Sequence, residues 1–389
     1  MKFVKRIKRL FRSRRFRKKF TLFVSSLLLL TICAVILDIQ LYKGNVNDTS
    51  QINVDVVLPE KIYVTNDAVL KWLDGKDTAK NVFNEYRQYG RLDYTNVVNF
   101  AYVIDNLPLD CFIENQELTV YDSKNYKKIY VQNFRPEERS IILKNLRPDT
   151  SYEYYLKLDF SNGECVERTG TFKTEASPCF LYVDGIRNVR DIGATKTIDG
   201  KQIKKYMVYR GSELDGAIEP NYIITKDGID YMLNDLNIKS EIDLRLYNER
   251  LMCDALGPSV FHNYYTILGY NEFFEIDRTV QNTEKLFSDL ANPDMYPIYI
   301  HCSYGVDRTG TVIYVLEALL GVDEKTLYQE WECSVICHGD AYYDEMNDFV
   351  RNFKALPGNT MQEKAENYLL SIGVTKEEID SIREILLTD

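Results

Sequence analysis

Tyr296-Pro297-Ile298-Tyr299-Ile300-His301-Cys302-Ser303-Tyr304-Gly305-Val306-Asp307-Arg308-Thr309-Gly310 reads as a strand, a tight loop and the start of a helix. The loop opens at Cys302 and closes at Arg308, with five residues between them. Such a loop suits a phosphate dianion, because successive backbone N–H groups curl around its oxygens and the helix dipole adds positive potential. Arg308 offers a fork of two parallel N–H donors to two of those oxygens. The same field stabilises a thiolate at Cys302, and a thiolate beneath a phosphorus atom is a nucleophile in line with the leaving oxygen.

Outward from this stretch, apolar strand-like runs (Ser240–Leu244, Ile298–His301) alternate with helix-like ones (Ile224–Asn237, Val280–Ala291, Thr309–Leu320). Glu324–Trp331, Tyr342–Ala355, Met361–Ser371 and Lys376–Leu387 follow as helices. The alternation predicts an α/β domain over 178–389, a central mostly parallel sheet flanked by helices. Ala176-Ser177-Pro178 marks its start. Upstream, short β-like runs at Asn96–Ile104, Leu118–Tyr121, Lys128–Phe134, Ser140–Leu143, Tyr152–Phe160 and Val166–Lys173 predict an all-β sandwich over 52–175. Asp67–Tyr89 reads equally as helix, which would disturb that sandwich.

Charge is unevenly spread. Residues 1–19 hold eleven Lys and Arg and no acid, whereas the remainder holds 37 basic against 58 acidic residues. An acidic body is a poor nucleic-acid binder. Phe20 to Leu37 has nothing charged, and its roughly 27 Å of helix predicts a transmembrane anchor. A cleaved signal peptide is the rival, weakened by the length of the run and the lack of an Ala-x-Ala site. The basic flank stays cytoplasmic, which places a stalk at 38–51 and everything beyond it outside the membrane. With Cys33 in the span and Cys302 as nucleophile, six of the eight cysteines remain: Cys111, Cys165, Cys179, Cys253, Cys333 and Cys337. Their spacings fit no compact disulfide framework, so buried thiols are expected and a single bridge stays open.

The motif His301-Cys302-x5-Arg308-Thr309-Gly310 resembles the signature of the cysteine-based protein tyrosine phosphatase superfamily. Ile186-Arg187-Asn188-Val189-Arg190-Asp191-Ile192-Gly193, Tyr209-Arg210-Gly211-Ser212-Glu213-Leu214 and Ile242-Asp243-Leu244-Arg245 resemble further blocks of one bacterial branch. The resemblance covers 178–389, and four blocks in the right order are specific where a lone Cys-x5-Arg is not. It implies hydrolysis of phosphomonoesters through phosphocysteine, with no metal and no organic cofactor. Cys302 is then the nucleophile, and Arg308 with the backbone of Ser303, Tyr304, Gly305, Val306 and Asp307 holds the phosphate. Thr309 stabilises the thiolate as it leaves, and His301 orders the loop. Asp307 is the first choice for the acid that protonates the leaving oxygen, and Asp243 the second. Val306 stands where the branch often has lysine, which weakens the case for substrates with adjacent phosphates. Ala194 replaces the second glycine of the Asn-x-Arg-Asp block. More weakly, Leu146–Tyr152 resembles the turn-and-tyrosine segment of fibronectin type III modules.

The favoured partner is a phosphotyrosine protein outside the cell membrane. Inositol phosphates or phosphoinositides form one rival, and a surface-anchored binding protein with an inert phosphatase domain forms another. Asp307 has a plainer reading as a charge stabilising the helix start, and Arg190, Asp191 and Arg210 as buried ion pairs that shape the site. Cys333, Cys337, His338 and Asp340 have a metal-like look, yet cysteines four apart fit one helix face in the core. His262 is the only other histidine, which disfavours a hydrolase triad.

Overall fold

The computed structural model describes residues 52–388, apart from 90–91, 125, 127, 252–253 and 340–341. The expected basic segment 1–19, anchor 20–37 and stalk 38–51 lie outside the described residues, as do Cys33, Cys253 and Asp340. Among the described residues no helix is long and apolar enough to cross a membrane.

The first part of the chain runs β1 (Asn53–Val57), α1 (Asp67–Leu73), α2 (Ala79–Tyr86), β2 (Val98–Asp105), β3 (Ile113–Asp122), β4 (Lys128–Asn133), β5 (Ser140–Leu143), β6 (Ser151–Phe160) and β7 (Cys165–Lys173). Its strands form two antiparallel sheets, ordered β1-β2-β5 and β4-β3-β6-β7. Alternate residues of β2 turn inward, so that Phe100 meets Leu143, Leu118, Val120, Leu156 and Leu158 in one apolar core. At the β5–β6 corner the Arg147 N–H donates to the Tyr152 hydroxyl at 2.6 Å. The helices α1 and α2 do not join this core. Ala68, Val69, Trp72, Ala79 and Val82 pack instead with the α/β part, so the expected 52–175 unit is interrupted by an insert belonging to its neighbour.

The second part runs β8 (Cys179–Phe180), β9 (Arg190–Asp191), β10 (Val208–Gly211), α3 (Lys226–Asp230), β11 (Ser240–Asp243), β12 (Phe261–Tyr264), α4 (Glu272–Glu275), α5 (Asp277–Leu290), β13 (Ile298–His301), α6 (Asp307–Leu319), α7 (Glu324–His338), α8 (Tyr343–Ala355), α9 (Met361–Ile372) and α10 (Lys376–Leu386). One six-stranded sheet has the order β12-β11-β13-β10-β9-β8. Strands β10 to β13 are mutually parallel where they pair, and β8 and β9 run antiparallel at one edge. This is the expected α/β architecture. All of β13 is buried, and α6 is buried from Thr309 to Leu319, which explains its apolar run Val312–Leu316, although Glu317 is buried with it. By contrast α5 buries only one stripe, Thr279, Thr283, Leu286, Phe287 and Leu290.

Register decides where the site forms. His301 pairs with Gly211 on one side and with Asp243 on the other. Three parallel strands therefore end level, and the loops leaving them converge at the carboxyl edge of the sheet, where α/β folds place their sites.

The two parts meet over a polar seam. The Arg147 guanidinium, nearly buried, lies 3.8 Å from Asp191 and over the rings of Tyr206 and Tyr209 at 5.0 and 5.5 Å. Lys205 Nζ donates to Asp149 O and Thr150 Oγ1 at 2.8 and 2.7 Å, and the Tyr206 hydroxyl donates to Asp122 at 2.7 Å.

Candidate active site

The loop after β13 is shaped by what holds its carbonyls. His301 O accepts from Leu244 N–H at 2.9 Å, and Ser303 O accepts from Glu213 N–H at 3.0 Å. Asn188 Nδ2 donates to Tyr304 O and Gly305 O at 3.3 and 3.2 Å, and Arg210 also donates to Gly305 O. With those acceptors engaged by surrounding groups, the N–H groups of Ser303, Gly305, Val306, Asp307 and Arg308 have no acceptor among the described residues. A row of uncommitted N–H groups ahead of α6 is an anion cradle. Gly305 is required for the turn: its φ is +70°, and a Cβ there would lie 2.2 Å from Gly211 O.

Cys302 is buried at the mouth of this cradle. Arg308 closes it, its guanidinium paired with Glu249 and its Nη2 3.3 Å from Ser303 Oγ. Burial opposes ionisation of Glu249, but the hydrogen bonds from Arg308 and the Leu246 N–H, with the charges of Arg308 and Arg245, together outweigh it and hold the carboxyl below its usual range. Thr309 Oγ1 is fully buried and has no hydrogen-bond partner among the described residues, so its hydroxyl is available to a sulfur.

Asp307 opens α6 and takes a hydrogen bond from the Tyr270 hydroxyl at 2.6 Å, while Trp331 Nε1 donates to that same hydroxyl at 3.3 Å. Burial lifts Asp307 above the usual carboxylate range, against the pull of Tyr270 and Arg308. A carboxyl held protonated longer than usual suits a proton donor. Asp243 is different. It is 1% exposed and spends both oxygens on Arg245, with Arg250 Nε at 3.4 Å, while Arg245 also pairs with Glu213 and Asp215 at 2.7 Å. Such a cage suits a strut better than a proton donor.

Beneath the loop, His301 Nδ1 donates to Cys302 O at 3.1 Å and Nε2 donates to Glu241 at 3.0 Å. A ring donating from both nitrogens is an imidazolium. Burial opposes that charge, but Asp243 and Glu241 outweigh it and raise His301. The other oxygen of Glu241 meets His262 Nδ1 at 3.0 Å. Two of the three histidines thus flank one buried carboxylate. Arg190 and Arg210 form ion pairs with Glu330 at 2.8 and 2.7 Å.

Sequence reasoning missed Glu249 and Glu241. Glu249 had one sign, its place four residues past Arg245 in the Asp-Leu-Arg block. Cys333 and Cys337 are buried in the core, which pushes Cys333 up to about 12 and Cys337 well above the ordinary thiol range. The described cysteines are all free, and Cys165 is exposed rather than buried. A cleft of about 400 Å³, lined by Trp72, Pro148, Asp191, Glu330 and Cys333 among others, includes nothing from 301–310.

Residues 181–388, more than half of the chain, match the tyrosine phosphatase family. The chain is 27% identical over 139 residues to the non-receptor type tyrosine-protein phosphatase ptp-2 of Caenorhabditis elegans, spanning 36% of this chain and only 19% of that one. Among solved structures, the core catalytic domain of the PP-IP phosphatase SIW14 from S. cerevisiae aligns at 18% identity, covering 38% of this chain and 86% of its own, with a TM-score of 0.27. The sensor domain of the anti-sigma factor RsgI4 from Pseudobacteroides cellulosolvens aligns at 14% identity over 32% of this chain and 75% of its own, with a TM-score of 0.17.

Proposed function

Because this chain belongs to the tyrosine phosphatase family, within the cysteine-based superfamily, we propose that it dephosphorylates phosphotyrosine proteins at the outer face of a cell membrane. The observation that carries the chemistry is the loop whose carbonyls are held outward between Cys302 and Arg308. The Cys302 thiolate attacks phosphorus, so that an S–P bond forms as the P–O bond to the leaving group breaks. Asp307 gives its proton to the departing oxygen, and Arg308 with the loop N–H groups carries the charge on the equatorial oxygens. Water then attacks the phosphocysteine, Asp307 takes back a proton, and the S–P bond breaks. The Thr309 hydroxyl donates to the returning thiolate.

The phosphotyrosine preference rests on a buried nucleophile, which a long aryl phosphate reaches more easily than a short one, and on Val306 in place of a second cation. Turnover of phosphotyrosine, phosphoserine and phosphoinositide substrates tests it, and preference for a phosphoinositide would overturn it. Cys302→Ser should abolish turnover while phosphate still binds, and substantial residual turnover would sink the cysteine mechanism. The location rests on the basic 1–19 and apolar 20–37 segments alone. A reporter fused after residue 43 should read as extracytoplasmic, and a cytoplasmic reading would refute the orientation.

A further inference from the structure

The catalytic loop draws one of its supports from outside the family match. Asp93 follows the insert helices α1 and α2, is fully buried, and its Oδ2 accepts the Asn188 backbone N–H at 2.7 Å. Asn188 stands in the left-handed region with φ of 59°, which Asn tolerates but which needs a fixed partner to persist. From that position its Nδ2 reaches both Tyr304 O and Gly305 O, and its Oδ1 accepts from Arg190. The neighbouring Arg187 is tied to Ser212 through two bonds of 3.0 Å, so the turn is held on both sides.

We propose that Asp93 is a positioning residue for the phosphate cradle. Its carboxylate fixes the strained turn at Asn188, and the Asn188 side chain in turn pulls two loop carbonyls outward. The N-terminal part is then a component of the active site and not an appended module. This inference rests on reading 302–308 as the catalytic loop, so its test needs a readout independent of turnover.

In the full chain, Asp93→Ala should lower kcat/KM for an aryl phosphate about 10- to 100-fold, the cost of a catalytic group displaced by about an ångström. Asp93→Asn keeps an acceptor oxygen and should retain kcat/KM within about threefold. Lys205→Ala cuts other hydrogen bonds of the same seam, and should lower Tm while leaving kcat/KM within about twofold. Inorganic phosphate binding, measured in the Cys302→Ser background, should weaken about tenfold or more on adding Asp93→Ala. That measurement separates a failed cradle from a failed cysteine mechanism. Where Asp93→Ala yields no folded protein, Asp93→Ser, whose hydroxyl is too short to reach, takes its place. Unchanged phosphate affinity and kcat/KM in the Asp93 variants, or an equal loss in Lys205→Ala, would overturn the proposal.

Discussion

Arg308 touches Glu249 and Ser303 at once, and the arrangement fixes what each substitution should do. Glu249 holds the guanidinium in the plane that a phosphate requires, so Glu249→Ala should weaken inorganic phosphate binding about tenfold, read as a competitive inhibition constant. Unchanged inhibition would mean that Ser303 suffices. Asp307→Asn should slow substrates with poor leaving groups by about 10²–10⁴-fold and those with acidic phenols far less. Since burial raises Asp307, the high-pH limb of its rate profile should fall above the range of an exposed aspartate, and it should flatten in the variant. Leaving-group dependence found with Asp243→Asn instead would reverse the roles. The pair beneath the loop gives a stability prediction. Donation to the Glu241 carboxylate holds His262 at about 9 against an ordinary 6.5, so its contribution is complete below about pH 6.5 and lost as pH climbs through about 9. Burial opposes the Glu241 charge, yet His262 and His301 hold it at about 2 against 4.5, so its share is lost only as pH falls through about 2. Melting curves should therefore decline between pH 6.5 and 9, and His262→Gln should lessen that decline, leaving the share of His301.

Elements explain why some of this could be read from the chain and some could not. The strand, loop and helix at 296–319 were legible because Gly305, the apolar run of β13 and the start of α6 occupy consecutive positions. Strands β8 and β9 escaped notice because two residues give no period. The α7 helix extends to His338, past the expected Trp331, because Cys333, Val335, Ile336 and Cys337 are buried and continue the helical face. Ala194 stands in a glycine's place, which the chain alone marks as a local backbone matter. Its φ is +71°, so Ala194→Gly should stabilise the fold by about 1 kcal/mol in denaturant titration. No gain would mean that the glycine's added unfolded-state entropy cancels the relief. The contacts that orient the loop join residues far apart, such as Asp93 with Asn188 and Arg308 with Glu249, and no periodicity encodes such pairings.

At the scale of the molecule, residues upstream of 176 contribute to the core that lies beyond it. Trp72 of α1, 5% exposed, belongs to the cluster that includes Trp331, Val335 and Ile336 of α7. Trp72→Ala should therefore destabilise the catalytic part by about 3–5 kcal/mol in equilibrium unfolding, and an effect confined to the sheets would contradict this packing. The insert also imposes a schedule on biosynthesis. Its helices leave the ribosome long before α7, which begins at Glu324. At about 5–20 residues per second, the apolar face of Val69, Trp72 and Val82 waits roughly 10–50 s for its partner. A nascent chain stalled near residue 300 thus carries a sticky, unpaired helix pair, and should be held by a chaperone until its last third has been made.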